Sequence, residues 1–342
     1  MGAQAMFATS NVLISLCFIF GFSFLISFCL YPFFIRWLKI KNVRSKGHVD
    51  HIIDGVTKET KEKTPSFGGI LFILIPFFVV PFFLDSMTIT YVAFILLGFV
   101  LGLVGLMDDL FKIFHPSRGI TARAKSLGQV GASLLFLFIA IRFGGLNSMN
   151  IPFLGNFGFT ETWYHLIGTL FFLTFILVGT SNAVNLTDGM DGLASSLSIV
   201  TLIFMAILGG DCQDLTVQYL LIALLGSLVA FFLFNKKPAR IFMGDVGSLP
   251  LGGLIAGFAI FLHQELVLIF LGGMFVVETM SVILQVFYFK RTKKRIFACA
   301  PLHHHYQFKG QSEQTIVQKF AGAQFLFGLV GYFIHHVAKN YV

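Results

Sequence analysis

The chain has 342 residues, of which 56% are hydrophobic and only 12% are charged, and its mean hydropathy is +0.84. About a quarter of the residues of an ordinary soluble domain are charged, so this composition excludes a soluble globular fold. The net charge of +8 would suit a nucleic-acid-binding protein, but the basic residues lie in loops between long apolar runs. We therefore predict an all-α polytopic membrane protein that binds no nucleic acid.

Apolar windows long enough to cross a bilayer predict about ten transmembrane helices in a single integral-membrane domain, residues 1–342. The first window, from Asn11 to Trp37, is too long for a signal-peptide core and predicts an uncleaved span. The segment Phe143–Thr160, rich in Gly, Asn and Phe, predicts a small external hairpin. The predicted spans are residues 11–37, 67–84, 89–107, 122–142, 162–180, 191–209, 215–234, 247–264, 266–289 and 316–336.

The basic residues predict how the spans are oriented. Of the 24 lysines and arginines, all but Arg142 and Lys339 fall in or beside the odd-numbered loops. Loops rich in Lys and Arg stay in the cytoplasm, so both termini are expected to be external. The expected location is a bacterial cytoplasmic, or inner, membrane.

Polar clusters stand at several junctions between these spans, and all of them fall on the predicted cytoplasmic side. Carboxylates at the edge of a span are costly and usually mark a functional site. Six clusters on one face suggest one shared cavity. They are Thr64–Gly69, Asp108-Asp109, Asn182–Gly192, Asn235, Met243–Ser248 and Pro301–His305.

The cluster Asn182–Gly192 repeats a polar residue every third position: Asn182, Asn185, Asp188 and Asp191. This spacing places the four side chains on one side of a helix or helical turn. A simple N-cap by Asp188 is the alternative, but a cap requires only one such residue.

Asp108, Asp109 and Asp245 admit two interpretations. Each could be a solvated helix end or a helix cap, and Lys112 follows the first pair at helical spacing. Gathered on one face, however, bare carboxylates at about 4 Å would repel by roughly 1–4 kcal/mol. A bound cation removes that repulsion, and oxygen-only ligands suit Mg²⁺.

Other polar residues carry weaker signals. His303, His304 and His305 cannot all point the same way, so contact with phosphate or proton transfer is favoured over a three-histidine metal site. Glu278 and Gln285 lie on one helical face and either pack between helices or line the cavity. Lys112, Arg123 and Lys125 suit a diphosphate, a lipid phosphate or an anionic lipid surface.

Together these motifs resemble the phospho-N-acetylmuramoyl-pentapeptide transferases, within the polyprenyl-phosphate N-acetylhexosamine phosphate transferase superfamily. Two positions of the first motif differ from the family pattern, at Ser66 and Phe67, and Gln307 replaces a glutamate. The resemblance implies ten spans, a bent ninth span and an active site on the cytoplasmic face. It also implies transfer of phospho-MurNAc-pentapeptide from its UDP carrier to undecaprenyl phosphate, with release of UMP and a requirement for Mg²⁺. Dimers are known in the family, so a homodimer is expected.

The resemblance also implies roles for particular residues. Asp245 matches the Mg²⁺ ligand, Asp108 the base that deprotonates the lipid phosphate with Asp109 beside it, and His303 a further catalytic group. The positions implied to bind substrate are Lys63, Lys112, Lys125, Asn185, Asp188, Gly189, Asp191, Asn235, Phe242, Gln285, Ala300, His304 and His305. Among these, Gly189, Asp191, Asn235 and Phe242 match positions around the nucleoside.

Two other functions stay open at this stage. A related polyprenyl-phosphate N-acetylglucosamine phosphate transferase would share the acidic motifs, although the three histidines favour the muramoyl-pentapeptide branch. A cation-coupled transporter of an anionic solute would place its acids near the bilayer midplane and would often carry an inverted repeat. Neither feature is seen in this sequence.

Overall fold

The computed structural model describes residues 2–43, 64–115, 119–152, 155–158, 163–212 and 214–341, and these form a bundle of α-helices with one small hairpin. The helices are α1 (Gly2–Ile40), α2 (Gly69–Val79), α3 (Ile89–Phe114), α4 (Ala122–Arg142), α5 (Trp163–Thr187), α6 (Leu193–Leu208), α7 (Leu215–Asn235), α8 (Asp245–Phe261), α9 (Leu268–Leu271), α10 (Gly273–Thr292), α11 (Leu302–Phe308) and α12 (Glu313–Tyr341). Short 3₁₀ turns follow α2 (Val80–Phe83) and α6 (Gly209–Asp211).

Each predicted span corresponds to a helical segment of the structure. In the described part of the chain, seven helices are long and apolar enough to cross a membrane, and three shorter apolar helices accompany them. The ninth predicted span is interrupted at Gly272, between α9 and α10. The protein is an all-α polytopic membrane protein, as the composition predicts.

The predicted hairpin between α4 and α5 is also present. Its strands β1 (Ser148–Ile151) and β2 (Gly155–Gly158) pair antiparallel, with Met149 opposite Phe157. The loop that connects α1 to α2 lies largely in residues 44–63, outside the described residues, and so does the predicted substrate contact Lys63.

Two predicted helix ends at the polar clusters are each seven residues too early. Helix α3 continues past residue 107 to Phe114, and α5 continues past residue 180 to Thr187. Charged residues suggested a helix end, but Asp108 pairs with Lys112 one turn later at 2.7 Å, and this pair suits a continuing helix. The side chains of Asp108, Asp109, Asn182 and Asn185 therefore project from helices.

Helix α8 is the centre of the bundle, since every residue from Asp245 to Phe261 is buried. Helices α2, α3 and α5 pack directly against it. Small residues bring the backbones close: a Cβ on Gly69 would stand 2.0 Å from the Cα of Gly247. A Cβ on Gly105 would stand 2.1 Å from the carbonyl oxygen of Asp245. These two contacts bring the first turn of α8 against the polar end of α3.

Candidate active site

The three acids of α3 and α8 meet at one end of the bundle and are buried there. Asp108, Asp109 and Asp245 are only 4%, 3% and 6% exposed. This burial excludes solvated helix ends. Asp245 is not a helix cap either, because Gly244 holds the N-cap position and makes no side-chain cap bond. The sequence prediction that the acids converge is confirmed.

Two lysines bridge these carboxylates. Lys112 Nζ lies 2.7 Å from Asp108 Oδ2 and 3.1 Å from Asp245 Oδ2. Lys125 Nζ, from α4, lies 2.7 Å from the same Asp245 oxygen. Because buried charges are stable only when they are paired, the lysines hold together acids that would otherwise repel.

Asn185 completes the surroundings of Asp245. Its side-chain nitrogen donates to Asp245 Oδ1 at 2.9 Å and to Ser248 Oγ at 2.8 Å, while its oxygen accepts from Lys125 Nζ at 3.0 Å. Ser248 follows Asp245 by one helical turn, and that spacing was the only sequence signal for its place here. Both oxygens of Asp245 are thus oriented by fixed donors from α3, α4 and α5.

Backbone amides fix the other two acids. Asp108 Oδ1 accepts from the N–H of Ile120 at 2.8 Å, and Asp109 Oδ2 accepts from the N–H of Val246 at 3.0 Å. Hydrogen bonds from N–H groups to a carboxylate are strong in a site of low dielectric. The three carboxyl groups are therefore held rigidly with respect to one another.

The cluster Asn182–Asp191, predicted on a helix or helical turn, lies partly on α5 and partly in the turn that follows it. Asn182 and Asn185 lie on α5, whereas Asp188 and Asp191 lie in the turn that connects α5 to α6. Asp188 does not cap α6, because the N-cap residue is Gly192 with φ +79° and no side-chain cap bond. The glycine permits the left-handed backbone turn at which α6 begins.

Burial, together with the nearby carboxylates of Asp245, Asp109 and Asp191, raises the pKa of Asp188 to about 8. A raised pKa favours the protonated carboxyl, which can donate a hydrogen bond as well as accept one.

A cavity of about 540 Å³, a volume that includes open solvent at its mouth, lies beside the acids. Asn235 and Phe242 form one wall, and Asn235 is fixed there because Ser195 Oγ donates to its Oδ1 at 2.9 Å and its Nδ2 donates to the carbonyl of Ile241 at 3.0 Å. The cavity is lined by Ser66, Asp109, Lys112, Asp188, Gly189, Met190, Asp191, Asn235, Phe242 and Gly244.

Two segments secure the wall that carries Phe242. The backbone N–H of Phe242 donates to the carbonyl of Pro65 at 2.9 Å, and the N–H of Gly68 donates to the carbonyl of Phe242 at 2.8 Å. On the other side, Asp191 Oδ2 accepts from the N–H of Ala239 at 3.1 Å. The wall is thereby tied both to the start of α2 and to the Asp188–Asp191 turn.

The donor chemistry of this site fits a hard divalent cation. Carboxylate oxygens from Asp108, Asp109 and Asp245 converge, and oxygen ligands are those that Mg²⁺ prefers. Among the described residues, no three His, Cys, Asp or Glu side chains are arranged to hold a metal by themselves. Mg²⁺ is usually held by one or two carboxylates, with substrate phosphate and water as the other ligands, so this arrangement is compatible with it.

Comparison with known proteins assigns the family. The model of glycosyl transferase family 4 matches residues 91–263. The chain is 41% identical, over 322 residues, to the phospho-N-acetylmuramoyl-pentapeptide-transferase of Listeria monocytogenes serotype 4b (strain CLIP80459), covering 91% of this chain and 94% of that protein. It is 38% identical over 323 residues to the same-named protein of Bacillus cytotoxicus, covering 92% and 96%.

The chain belongs to the phospho-N-acetylmuramoyl-pentapeptide transferase family. A third member, from Geobacillus thermodenitrificans, is 37% identical over 322 residues, covering 91% of this chain and 95% of that protein. The matched segment 91–263 contains α4 to α8 and all of α3 except its first two residues, and these helices carry the three acids, both lysines and Asn185. The resemblance read from the motifs is confirmed.

Five further residues that the transferase family implies as catalytic or substrate-binding lie outside both the hydrogen-bonded acid cluster and the cavity lining. Gln285 Oε1 accepts from the N–H groups of Ile296 and Phe297, and His305 Nδ1 accepts from the N–H of Ala298. In these positions they shape the segment between α10 and α11. Substrate contact by Gln285, Ala300, His304 and His305 and catalysis by His303 stay predictions.

His303 is fully buried in this structure, and Arg123 is exposed on α4.

The sequence did not predict a layer of buried polar side chains next to the site. Gln129 Nε2 donates to Ser181 Oγ at 3.1 Å, and Gln129 Oε1 accepts from Asn182 Nδ2 at 3.1 Å. Gln129 follows Lys125 at helical spacing, which was the available signal.

We expect Lys125→Gln to lower kcat/KM on the order of 100-fold, because truncating one partner of a buried charge pair costs about 3 kcal/mol. The shorter neutral side chain would leave Asp245 with Lys112 as its remaining described cation. Steady-state kinetics of the purified protein would measure the change. Lys319→Gln is the control, since Lys319 contacts only Gln311 on an exposed face of α12 in the described structure. Equal activity losses in the two variants would contradict the assignment of Lys125.

Proposed function

We propose that this protein transfers phospho-MurNAc-pentapeptide from UDP-MurNAc-pentapeptide to undecaprenyl phosphate, producing lipid I and UMP. The observation that carries the proposal is the convergence of Asp108, Asp109 and Asp245 with two lysines beside an open cavity. The family membership and the printed names of the relatives support the same reaction. The reaction is the first membrane step of peptidoglycan synthesis.

In the proposed direct reaction, an oxygen of the lipid phosphate attacks the sugar-linked phosphorus of the donor. A new P–O bond forms, the pyrophosphate P–O bond to UMP breaks, and UMP leaves with the bridging oxygen. Asp108 is the base that takes the proton of the lipid phosphate, and Asp109 lies beside it. Lys112 and Lys125 neutralise phosphate charge, since lysine ammonium groups bind phosphate oxygens.

We assign the nucleoside end of the donor to the wall of the cavity that carries Asn235 and Phe242. Phe242 provides a ring on which uracil can stack. Gly189, Asp191 and Asn235 provide polar and backbone groups in the lining of the same cavity. This placement puts the diphosphate over the acids and lysines.

We also propose that Mg²⁺ binds with Asp245 as a ligand. The ion would neutralise the diphosphate and stabilise the UMP leaving group. We expect a chelator to abolish transfer and excess Mg²⁺ to restore it, because oxygen ligands alone bind the ion reversibly. Transfer measured with radiolabelled donor in chelator-treated buffer tests this requirement. Full activity in metal-free buffer would contradict it.

The basic loops support the proposed orientation, with the active site on the cytoplasmic face of the bacterial inner membrane and both termini external. The homodimer implied by the resemblance stays a prediction. The transporter alternative is not favoured, because the acids gather at one end of the bundle, within the last two turns of α3 and the first turn of α8, and the relatives are named transferases. The N-acetylglucosamine phosphate transferase alternative is not favoured by the names of the relatives either.

The decisive experiment supplies purified protein with UDP-MurNAc-pentapeptide and undecaprenyl phosphate and measures lipid-linked product and UMP. Equal amounts of both products are expected. Solute uptake into sealed vesicles without any lipid-linked product would overturn the proposal. A two-step route through an aspartyl-phosphate is distinguished by UMP exchange in strictly lipid-free enzyme, which the direct route does not permit.

A further inference from the structure

Glu278 is a carboxylate deep inside α10, one of the helices long and apolar enough to span a membrane, and it is fully buried. A buried carboxylate in such a span is costly and would be replaced by an apolar residue if packing alone were required. Its Oε2 has no hydrogen-bond partner among the described residues, which adds to that cost. Glu278 does not line the cavity, so it does not contact substrate there.

The partner of Glu278 is His303, at the start of α11. Glu278 Oε1 accepts from the backbone N–H of His303 at 3.1 Å. The same oxygen lies 3.3 Å from His303 Nδ1, and neither side chain has any exposed surface. Pro301, the N-cap residue of α11, makes no side-chain cap bond, so the carboxylate from α10 satisfies this first-turn N–H instead.

The other edge of the His303 imidazole contacts the turn that connects α5 to α6. A Cβ built on Gly189 would stand 2.4 Å from His303 Nε2, so the glycine backbone rests directly on the ring. Gly189 lies between Asp188 and Asp191, and all three line the cavity. A shift of the ring would consequently displace the turn that carries both acids.

We propose that Glu278 is a positioning residue: by holding His303 beneath Gly189, it sets the place of Asp188 and Asp191 in the cavity. This inference rests on the proposed transferase function, since it assigns Glu278 a part in binding the UDP-linked donor. Residues that orient a binding group in this indirect way typically contribute 10- to 100-fold to affinity or activity.

The test is the kinetics of Glu278→Ala and Glu278→Gln. Glu278→Ala should raise KM for UDP-MurNAc-pentapeptide about tenfold with a smaller change in kcat, because a displaced turn weakens donor binding. Glu278→Gln keeps an oxygen that can accept from the His303 N–H and should restore KM to within about threefold of the wild type. Glu265→Ala is the matched control, since Glu265 is also buried but follows α8 at the opposite end of the bundle.

A second pair of variants keeps the inference testable if Glu278→Ala does not fold. The added methyl group of Gly189→Ala would strike the imidazole and should raise KM for the donor with a smaller change in kcat, because the turn must move off the ring. Gly168→Ala on α5, where the added Cβ would meet no atom within 4 Å, is its control and should leave KM within twofold of the wild type. A KM within twofold of the wild type in Glu278→Ala or in Gly189→Ala would overturn the positioning role. Failure of the wild-type protein to form lipid-linked product would instead overturn the proposed function.

Discussion

Asp245→Asn is expected to lower kcat on the order of 1,000-fold while the protein still folds. Asn preserves the size of the side chain but removes the charge that Lys112 and Lys125 share at 3.1 Å and 2.7 Å. It also removes the proposed Mg²⁺ ligand, so the residual activity should require far more Mg²⁺. Transfer rates over a range of Mg²⁺ concentrations, with a melting curve of each protein, measure both effects.

The control for Asp245→Asn is Asp85→Asn. Asp85 is exposed in the loop that connects α2 to α3, at the end of α3 away from Asp108 and Asp109. Its replacement should leave both the rate and the Mg²⁺ dependence within about twofold of the wild type, as surface substitutions usually have small effects. If the two variants lose activity equally, or if Asp245→Asn is fully active, the site is assigned to the wrong residues.

Gly69→Ala is expected to destabilise the protein by about 3 kcal/mol, because the added methyl group would overlap the backbone of α8. Its Cβ would stand 2.0 Å from the Cα of Gly247 and 3.1 Å from the carbonyl oxygen of Met243. Backbone atoms cannot turn aside as a flexible side chain can, so α2 and α8 must separate. A melting temperature lowered by roughly 5–10 °C is the expected measurement.

The matched control is Gly168→Ala on α5, where the added Cβ would meet no atom within 4 Å. Alanine has a higher helix propensity than glycine by about 1 kcal/mol, so this variant should be no less stable than the wild type. Similar stability of the Gly69 and Gly168 variants would show that α2 and α8 do not approach as closely as described.

The sequence predicted those parts of the site that depend on residues close together in the chain. Asp108 and Asp109 stand out because carboxylates are rare in apolar spans. The charge of the loops placed these acids and Asp245 on one face. The pairing of Lys125 with Asp245, by contrast, joins residues that are 120 positions apart, and no local pattern encodes that distance.

Helix ends were the least predictable feature at the site. The polar residues after Met107 suggested a loop, yet α3 continues to Phe114 because Asp108 and Lys112 pair across one turn. The same error ended the fifth predicted span at residue 180, although α5 extends to Thr187. Tertiary contacts supplied the partners that allow these polar residues to stay helical.

By itself, the sequence determined the membrane class, the helical segments and the residue types of an acidic site. Hydropathy and charge patterns lie in consecutive residues, so they can be read without the tertiary structure. Only the tertiary structure decided that glycine contacts place Asp245 against α3 and that Glu278 reaches His303. Both contacts depend on which helix faces pack together. Close packing between segments that are distant in the chain determines those faces. The role proposed for Glu278 also follows from the tertiary structure, since its partner His303 is 25 residues away in another helix.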